Sequence, residues 1–282
     1  MAINLWTSDN KNFGDAVNKR FWRELTDKKV IFQPNKSHYI TTGSIMNRVK
    51  TNTIIFGTGF ISKKGDLGGN NFNSKKNKLH CKPKKVIAVR GPETRKKLLK
   101  FGIECPENYG DPLILIPCIY NKKTIINDNI IGIIPHYVDR KNPNFKLLVT
   151  NLRNSGFEVK FIDIQVKDRY EKLIDKINSC KYIISSSLHG VMMGIVYQKQ
   201  TIFVEFSSRV IGKTFKFNDF FGSLAINYEN LNAYDESVLD NVIPVDYDYL
   251  VNVGLKLISL IPFIKDQQKK KILQEKYQGF YK

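Results

Sequence analysis

The residues best suited to chemistry lie in Ile183-Ile184-Ser185-Ser186-Ser187-Leu188-His189-Gly190-Val191-Met192. A β-branched run ends in three serines; a histidine and a glycine follow, then an apolar run. This pattern predicts a buried strand, a tight polar turn and a helix starting at or near His189. A histidine at the carboxyl end of a strand can reach a ligand and exchange protons near neutral pH. The competing reading is an imidazole that only hydrogen-bonds its own turn. A second cluster is Val89-Arg90-Gly91-Pro92-Glu93-Thr94, where Arg90 ends one strand just before a helix. A guanidinium there can grip a carboxylate or phosphate through two parallel hydrogen bonds, or pair with a local acid. Arg209 and Lys213, in the stretch from Glu205-Phe206 to Gly212-Lys213, are further anion-binding candidates.

Polar turns at other strand ends could complete such a site. In Asn12-Phe13-Gly14-Asp15, Gly14 allows close approach of backbone to ligand, and Asp15 is a natural helix cap or a binder of hydroxyl groups. Gly57-Thr58-Gly59 follows a buried strand and could present backbone N–H groups, although a plain tight turn explains it equally. Asp111, in Gly110-Asp111-Pro112, is again either a helix cap or a hydroxyl ligand.

Strands are expected at 2–6, 30–33, 38–42, 53–56, 85–89, 130–134, 159–162, 182–185 and 201–204. Helices are expected from Asp15, over 92–100, around Phe145–Leu152 and Tyr170–Ile177, from His189, and over 246–262. Short helices at 44–49, 113–116 and 218–221 and a basic helical tail at 267–276 complete the set, and 63–84 reads as a long loop. Strands alternating with helices predict βαβ units and parallel sheets. The polar, unpatterned segment 117–128 divides two such sets. The expected fold class is therefore α/β, with two Rossmann-like domains, 1–125 and 126–282, facing across a cleft lined by strand carboxyl ends.

At 282 residues, two domains are the natural division. The chain carries 45 Lys+Arg against 26 Asp+Glu, a formal charge of +19, which favours anionic partners. The lysines are spread along the chain with no aromatic-interleaved stripe, so nucleic acid is not expected. No segment reaches the roughly 20 apolar residues that span a bilayer, and Met1 to Asn10 lacks a signal-peptide pattern, so a cytoplasmic location is expected. Cys81, Cys105, Cys118 and Cys180 are widely spaced, predicting free thiols and no metal site. The oligomeric state is left open.

Taken in order, the turn motifs from Asn12-Phe13-Gly14-Asp15 to Gly212-Lys213 resemble the polysaccharide pyruvyl transferase family. The resemblance implies a fold like the two-domain GT-B glycosyltransferases. It also implies transfer of pyruvate from phosphoenolpyruvate to a sugar or glycan, as a cyclic ketal with release of phosphate and no cofactor beyond that donor. Arg90 matches the family arginine for phosphoenolpyruvate, His189 the catalytic histidine, and Leu188 a neighbour at the donor site. Ser186 and Ser187 belong to the same turn; many members carry Arg where Ser187 stands here, so Arg209 or Lys213 would have to replace its charge. The alternatives are a GT-B-like glycosyltransferase using a nucleotide sugar, and a non-catalytic relative that binds glycans.

Overall fold

A computed structural model of the chain describes residues 2–7, 12–69, 77–122, 127–166, 169–230 and 233–282. The strands are β1 (Ile3–Asn4), β2 (Val30–Ile31), β3 (His38–Ile40), β4 (Thr53–Phe56), β5 (Lys85–Ala88), β6 (Asn127–Ile134), β7 (Glu158–Phe161), β8 (Cys180–Ser185) and β9 (Gln200–Phe203). The helices are α1 (Phe13–Thr26), α2 (Pro92–Lys100), α3 (Pro143–Asn154), α4 (Tyr170–Asn178), α5 (Leu188–Val196), α6 (Phe215–Ser223), α7 (Tyr247–Leu260) and α8 (Gln267–Tyr281). Short 3-10 segments cover Met46–Arg48, Pro112–Cys118, Tyr137–Asp139 and Glu236–Asp240.

The fold is a Rossmann-like α/β arrangement of parallel sheets. In the first half, β1 pairs with β2, and β3, β4 and β5 run side by side; a bridge between Leu5 and Tyr39 joins the two groups. In the second half the order is β7-β6-β8-β9, all parallel. Ile131, Ile133, Ile183, Ile184 and Ile202 are all buried, because helices cover both faces of a parallel sheet and leave no polar side.

The largest apolar core does not stop at the predicted linker. It runs from Phe13, Trp22 and Phe56 through Leu113–Ile116 to Ile134, Val191, Phe217 and Tyr277. Trp22 is central: its ring meets Phe21 and Phe263 edge-on, and its Nε1 donates to Thr41 Oγ1 at 2.9 Å. The expected basic helical tail forms, extends to Tyr281 and is amphipathic. Asp266 caps α8 by accepting from the backbone of Gln268, while Leu273, Tyr277 and Phe280 are buried. The helix packs on α7 and on Pro112–Cys118, returning the chain to its first half. Polar bonds tie the halves as well, including Arg20 to Glu171 at 3.0 Å.

Several boundaries differ from those the sequence predicts; β6 starts at Asn127 and β8 at Cys180, earlier than expected. Helix α1 starts at Phe13, with Asn12 and not Asp15 at the capping position, so Asp15 lies in the first helical turn. Helix α6 starts three residues before the predicted 218 and spans nine residues. In the expected loop 63–84, residues 70–76 lie outside the described residues, but the flanks are ordered: Leu67 bridges Leu79, and Asp66 accepts from the Lys78 backbone at 2.9 Å. Among the described residues no helix is long and apolar enough to cross a membrane.

Candidate functional site

Six strand ends converge on one cavity of about 210 Å³. The segments after β1, β3 and β4 contribute Asn12 and Asp15, Gly43 to Ile45, and Ile61; those after β6, β8 and β9 contribute His136 to Val138, Ser187 to His189, and Arg209, Ile211 and Lys216. The cavity thus lies where ligands bind in open parallel sheets, at the carboxyl ends of the strands.

The turn after β8 is built by its serines. Ser185 Oγ donates to the Ile134 carbonyl at 2.7 Å and accepts from the Ser187 backbone at 3.0 Å. Ser186 Oγ accepts from the His136 backbone at 2.8 Å and donates to Asp139 at 2.9 Å. Asp139 also accepts from Ser207 Oγ, so one buried carboxylate fixes the loops after β6, β8 and β9 together. Ser187 sits at the capping position of α5 without a side-chain cap bond and faces the cavity.

His189 is 5% exposed, in the first turn of α5. Its Nε2 is buried with no hydrogen-bond partner among the described residues. Burial, with the nearby cations Lys216 and Arg90, pushes its pKa down to about 3, so the ring is neutral at pH 7. His136 is likewise pushed down to about 3 by burial and by Lys216. Its Nδ1 accepts from the Val138 backbone, which leaves the proton of the neutral ring on Nε2.

Lys216 is the residue that sequence reasoning missed. It is buried in the cavity wall, and burial plus Arg90 lower its pKa to about 8, partly opposed by Asp139. A cation in the first turn of a helix works against the helix dipole. With α6 expected only from 218, Lys216 falls in a predicted loop where no motif marks it. His136 gave no motif signal either.

The other candidates divide into two groups. Asp15, Ser187, Leu188, His189 and Arg209 line the cavity, with Arg209 exposed at its rim. Gly14 touches it indirectly, as the surface on which the His189 ring lies. Arg90, Gly57, Gly59, Asp111, Ser186 and Lys213 do not line it. Arg90 is fully buried behind the wall: Nε donates to Asp219 at 2.9 Å, Nη1 to Ser44 Oγ at 2.6 Å and Nη2 to the Phe60 carbonyl at 2.6 Å. Ser44 is itself in the cavity wall, so Arg90 acts one layer back. Gly59 makes room for that guanidinium, since a Cβ there would lie 2.6 Å from Cζ. Gly57, at φ +94°, packs on Pro112. Asp111 caps the segment Pro112–Cys118, accepting from Thr42 Oγ1 at 2.6 Å and the Leu113 backbone at 3.1 Å, and burial raises its pKa to about 6. Lys213 is exposed.

The site is therefore a small, electropositive chamber holding two neutral imidazoles. A model of the polysaccharide pyruvyl transferase family matches residues 4–208, well over half of the chain. The protein belongs to the polysaccharide pyruvyl transferase family. It is also 29% identical over 266 residues to an uncharacterised protein of Acanthamoeba polyphaga mimivirus, covering 88% of this chain and 86% of that one. Membership of a pyruvyl transferase family makes the chain a transferase of polysaccharide modification and implies a sugar or glycan acceptor. The family match ends before Lys216, whose place in the site is given by its position in the cavity wall.

Proposed function

We propose that this protein transfers pyruvate from phosphoenolpyruvate to a sugar as a cyclic ketal, releasing phosphate. The observation that carries this reading is the unpartnered, buried Nε2 of His189 in a chamber whose charge comes from Lys216, Arg209 and, through the wall, Arg90. A small, multiply anionic donor matches that field. The volume of about 210 Å³ suits a three-carbon donor better than a nucleotide sugar.

In this reading the donor lies against Lys216, Arg209 and the amino end of α5. Its negative charge reverses the cationic environment of His189 and raises the imidazole pKa, so the ring takes up a proton. His189 gives that proton to the methylene carbon, which becomes a methyl group, and positive charge develops on the adjacent carbon. A sugar hydroxyl attacks that carbon and releases its proton to Asp15, which serves as the base in this reading. A second hydroxyl then displaces phosphate, the C–O bond to phosphate breaks, and the second hydroxyl proton leaves with the phosphate. Lys216 and Arg209 balance the charge of the departing group. Where many relatives have Arg, Ser187 stands here, and Lys216 supplies the missing cation in place of Lys213. The two halves of the chain are then the two domains, 1–125 and 126–282, of a GT-B-like architecture with its cleft at this cavity.

The test is phosphate release from phosphoenolpyruvate with a panel of candidate sugars, alongside thermal denaturation with the donor alone. Release that depends on acceptor and disappears in His189→Ala, with the melting temperature of the variant kept, is expected. No release and no donor-induced stabilisation defeats the reading.

A further inference from the structure

The cavity has two different ends. Its floor residues His189, Lys216 and His136 are 5%, 8% and 9% exposed, whereas Tyr137 and Ile211, which line the same cavity, are 43% and 36% exposed. The floor is buried, with Lys216 as its cation; the mouth is exposed, aromatic and aliphatic on the side of Tyr137 and Ile211, with Arg209 at its rim. A donor held by charge gains little from Tyr137 and Ile211.

The mouth is also rigid. The Tyr137 ring lies on His136 with centroids 4.3 Å apart and planes 33° apart, which pins the phenol while leaving much of it open. The segment Tyr137–Asp139 is anchored by Asp139, which holds Ser186 and Ser207. Ile211, in the same lining, precedes Gly212, which has φ +82° and packs so tightly that a Cβ there would lie 1.7 Å from the Ile61 carbonyl oxygen. Ile61 is itself in the lining, so both halves of the chain build this rim. Asp15 is the one carboxylate among the cavity-lining residues.

A preformed aromatic face with aliphatic neighbours, open to water in a cavity that also carries a carboxylate, suits a ring with one C–H face and a hydroxyl edge. That is the chemistry of an uncharged pyranose, whose apolar face gains from burial against a ring while its hydroxyls keep polar partners. We propose that the mouth is the acceptor subsite. A pyranose lies with its C–H face on Tyr137 and Ile211, and its hydroxyl edge turns toward Asp15 and the donor below. As an acceptor subsite it rests on the pyruvyl-transfer reading, which places the donor on the floor.

Binding is measured without turnover, using saturation-transfer NMR on the full chain with methyl glycosides of the gluco, galacto and manno series. Phosphoenolpyruvate binding is followed separately by thermal shift. At least one methyl pyranoside is expected to bind. Tyr137→Ala should weaken it by about tenfold or more, Tyr137→Phe should retain it, and donor binding should be unchanged in both. Equal sugar binding in Tyr137→Ala, loss of donor binding in that variant, or no binding of any glycoside to the native chain overturns the assignment. If the native chain fails to bind phosphoenolpyruvate but loses sugar binding in Tyr137→Ala, the mouth is a sugar site and the donor reading falls instead.

Discussion

The imidazole of His189 lies where a side chain at residue 14 would begin. A Cβ on Gly14 would sit 2.1 Å from His189 Cε1 and 2.3 Å from Nε2. The amino end of α1 and the amino end of α5 therefore meet at the one ring, among the described residues, whose buried nitrogen lacks a partner. Alanine at 14 must push the ring away from its place, and a displacement of about 1 Å at a reacting group can lower a rate about 10²-fold. Gly14→Ala is expected to lower kcat by about that factor while the fold survives, as judged by circular dichroism. Wild-type kcat in that variant would mean that the ring position does not matter.

The two cavity histidines set an acid limit on stability. In the folded chain His136 and His189 are held near pKa 3, against 6.5 when exposed. Between these values the unfolded chain binds protons that the folded chain does not, so stability falls as pH drops from about 6.5 toward 3. Each ring accounts for about 2 kcal/mol at pH 5 by this linkage. Urea denaturation at pH 7 and pH 5 should show a smaller acid loss in His136→Gln than in the native chain. An identical acid loss would show that His136 is not held neutral.

Lys216 sets an alkaline limit on donor use. Its ammonium, lowered from 10.5 to about 8 by burial and Arg90, loses its proton above that pH, and the chamber loses a positive charge. The kcat/KM for phosphoenolpyruvate, which reports the free enzyme, is expected to decline above about pH 8. Lys216→Arg should move that decline upward, because a guanidinium stays charged, and Lys216→Met should depress kcat/KM about 10²-fold at pH 7. An alkaline limb unchanged in Lys216→Arg removes Lys216 from the donor site.

Asp219 holds the buried guanidinium of Arg90. Its carboxylate accepts from Arg90 Nε at 2.9 Å, the Thr94 backbone at 2.8 Å and Thr94 Oγ1 at 2.7 Å, and both charged groups are fully buried. Removing one partner of such a pair strands the other charge, which costs about 3–5 kcal/mol. Asp219→Ala should lose stability of that order in urea, and Asp219→Asn less, since an amide oxygen still accepts from Arg90. A loss below about 1 kcal/mol would mean that water reaches the guanidinium and screens it.

The local sequence determined much of this protein. Alternating β-branched and amphipathic runs specify strands, helices and parallel sheets, because burial faces repeat with the period of each element. The strand Thr53–Phe56 and the helix Pro92–Lys100 have the boundaries their residues predict. The serine turn and the helix that carries His189 were legible for the same local reason. Only the tertiary structure decided which residues share the cavity. Arg90 meets Asp219 across 129 positions and so stands behind the wall, a pairing that no local pattern encodes. Lys216 entered because α6 starts earlier than its residues suggest, with a cation at a helix end that ordinarily disfavours one. Gly14 proved to be the bed of the His189 ring, because the sheets bring two helix starts into contact that the chain holds far apart.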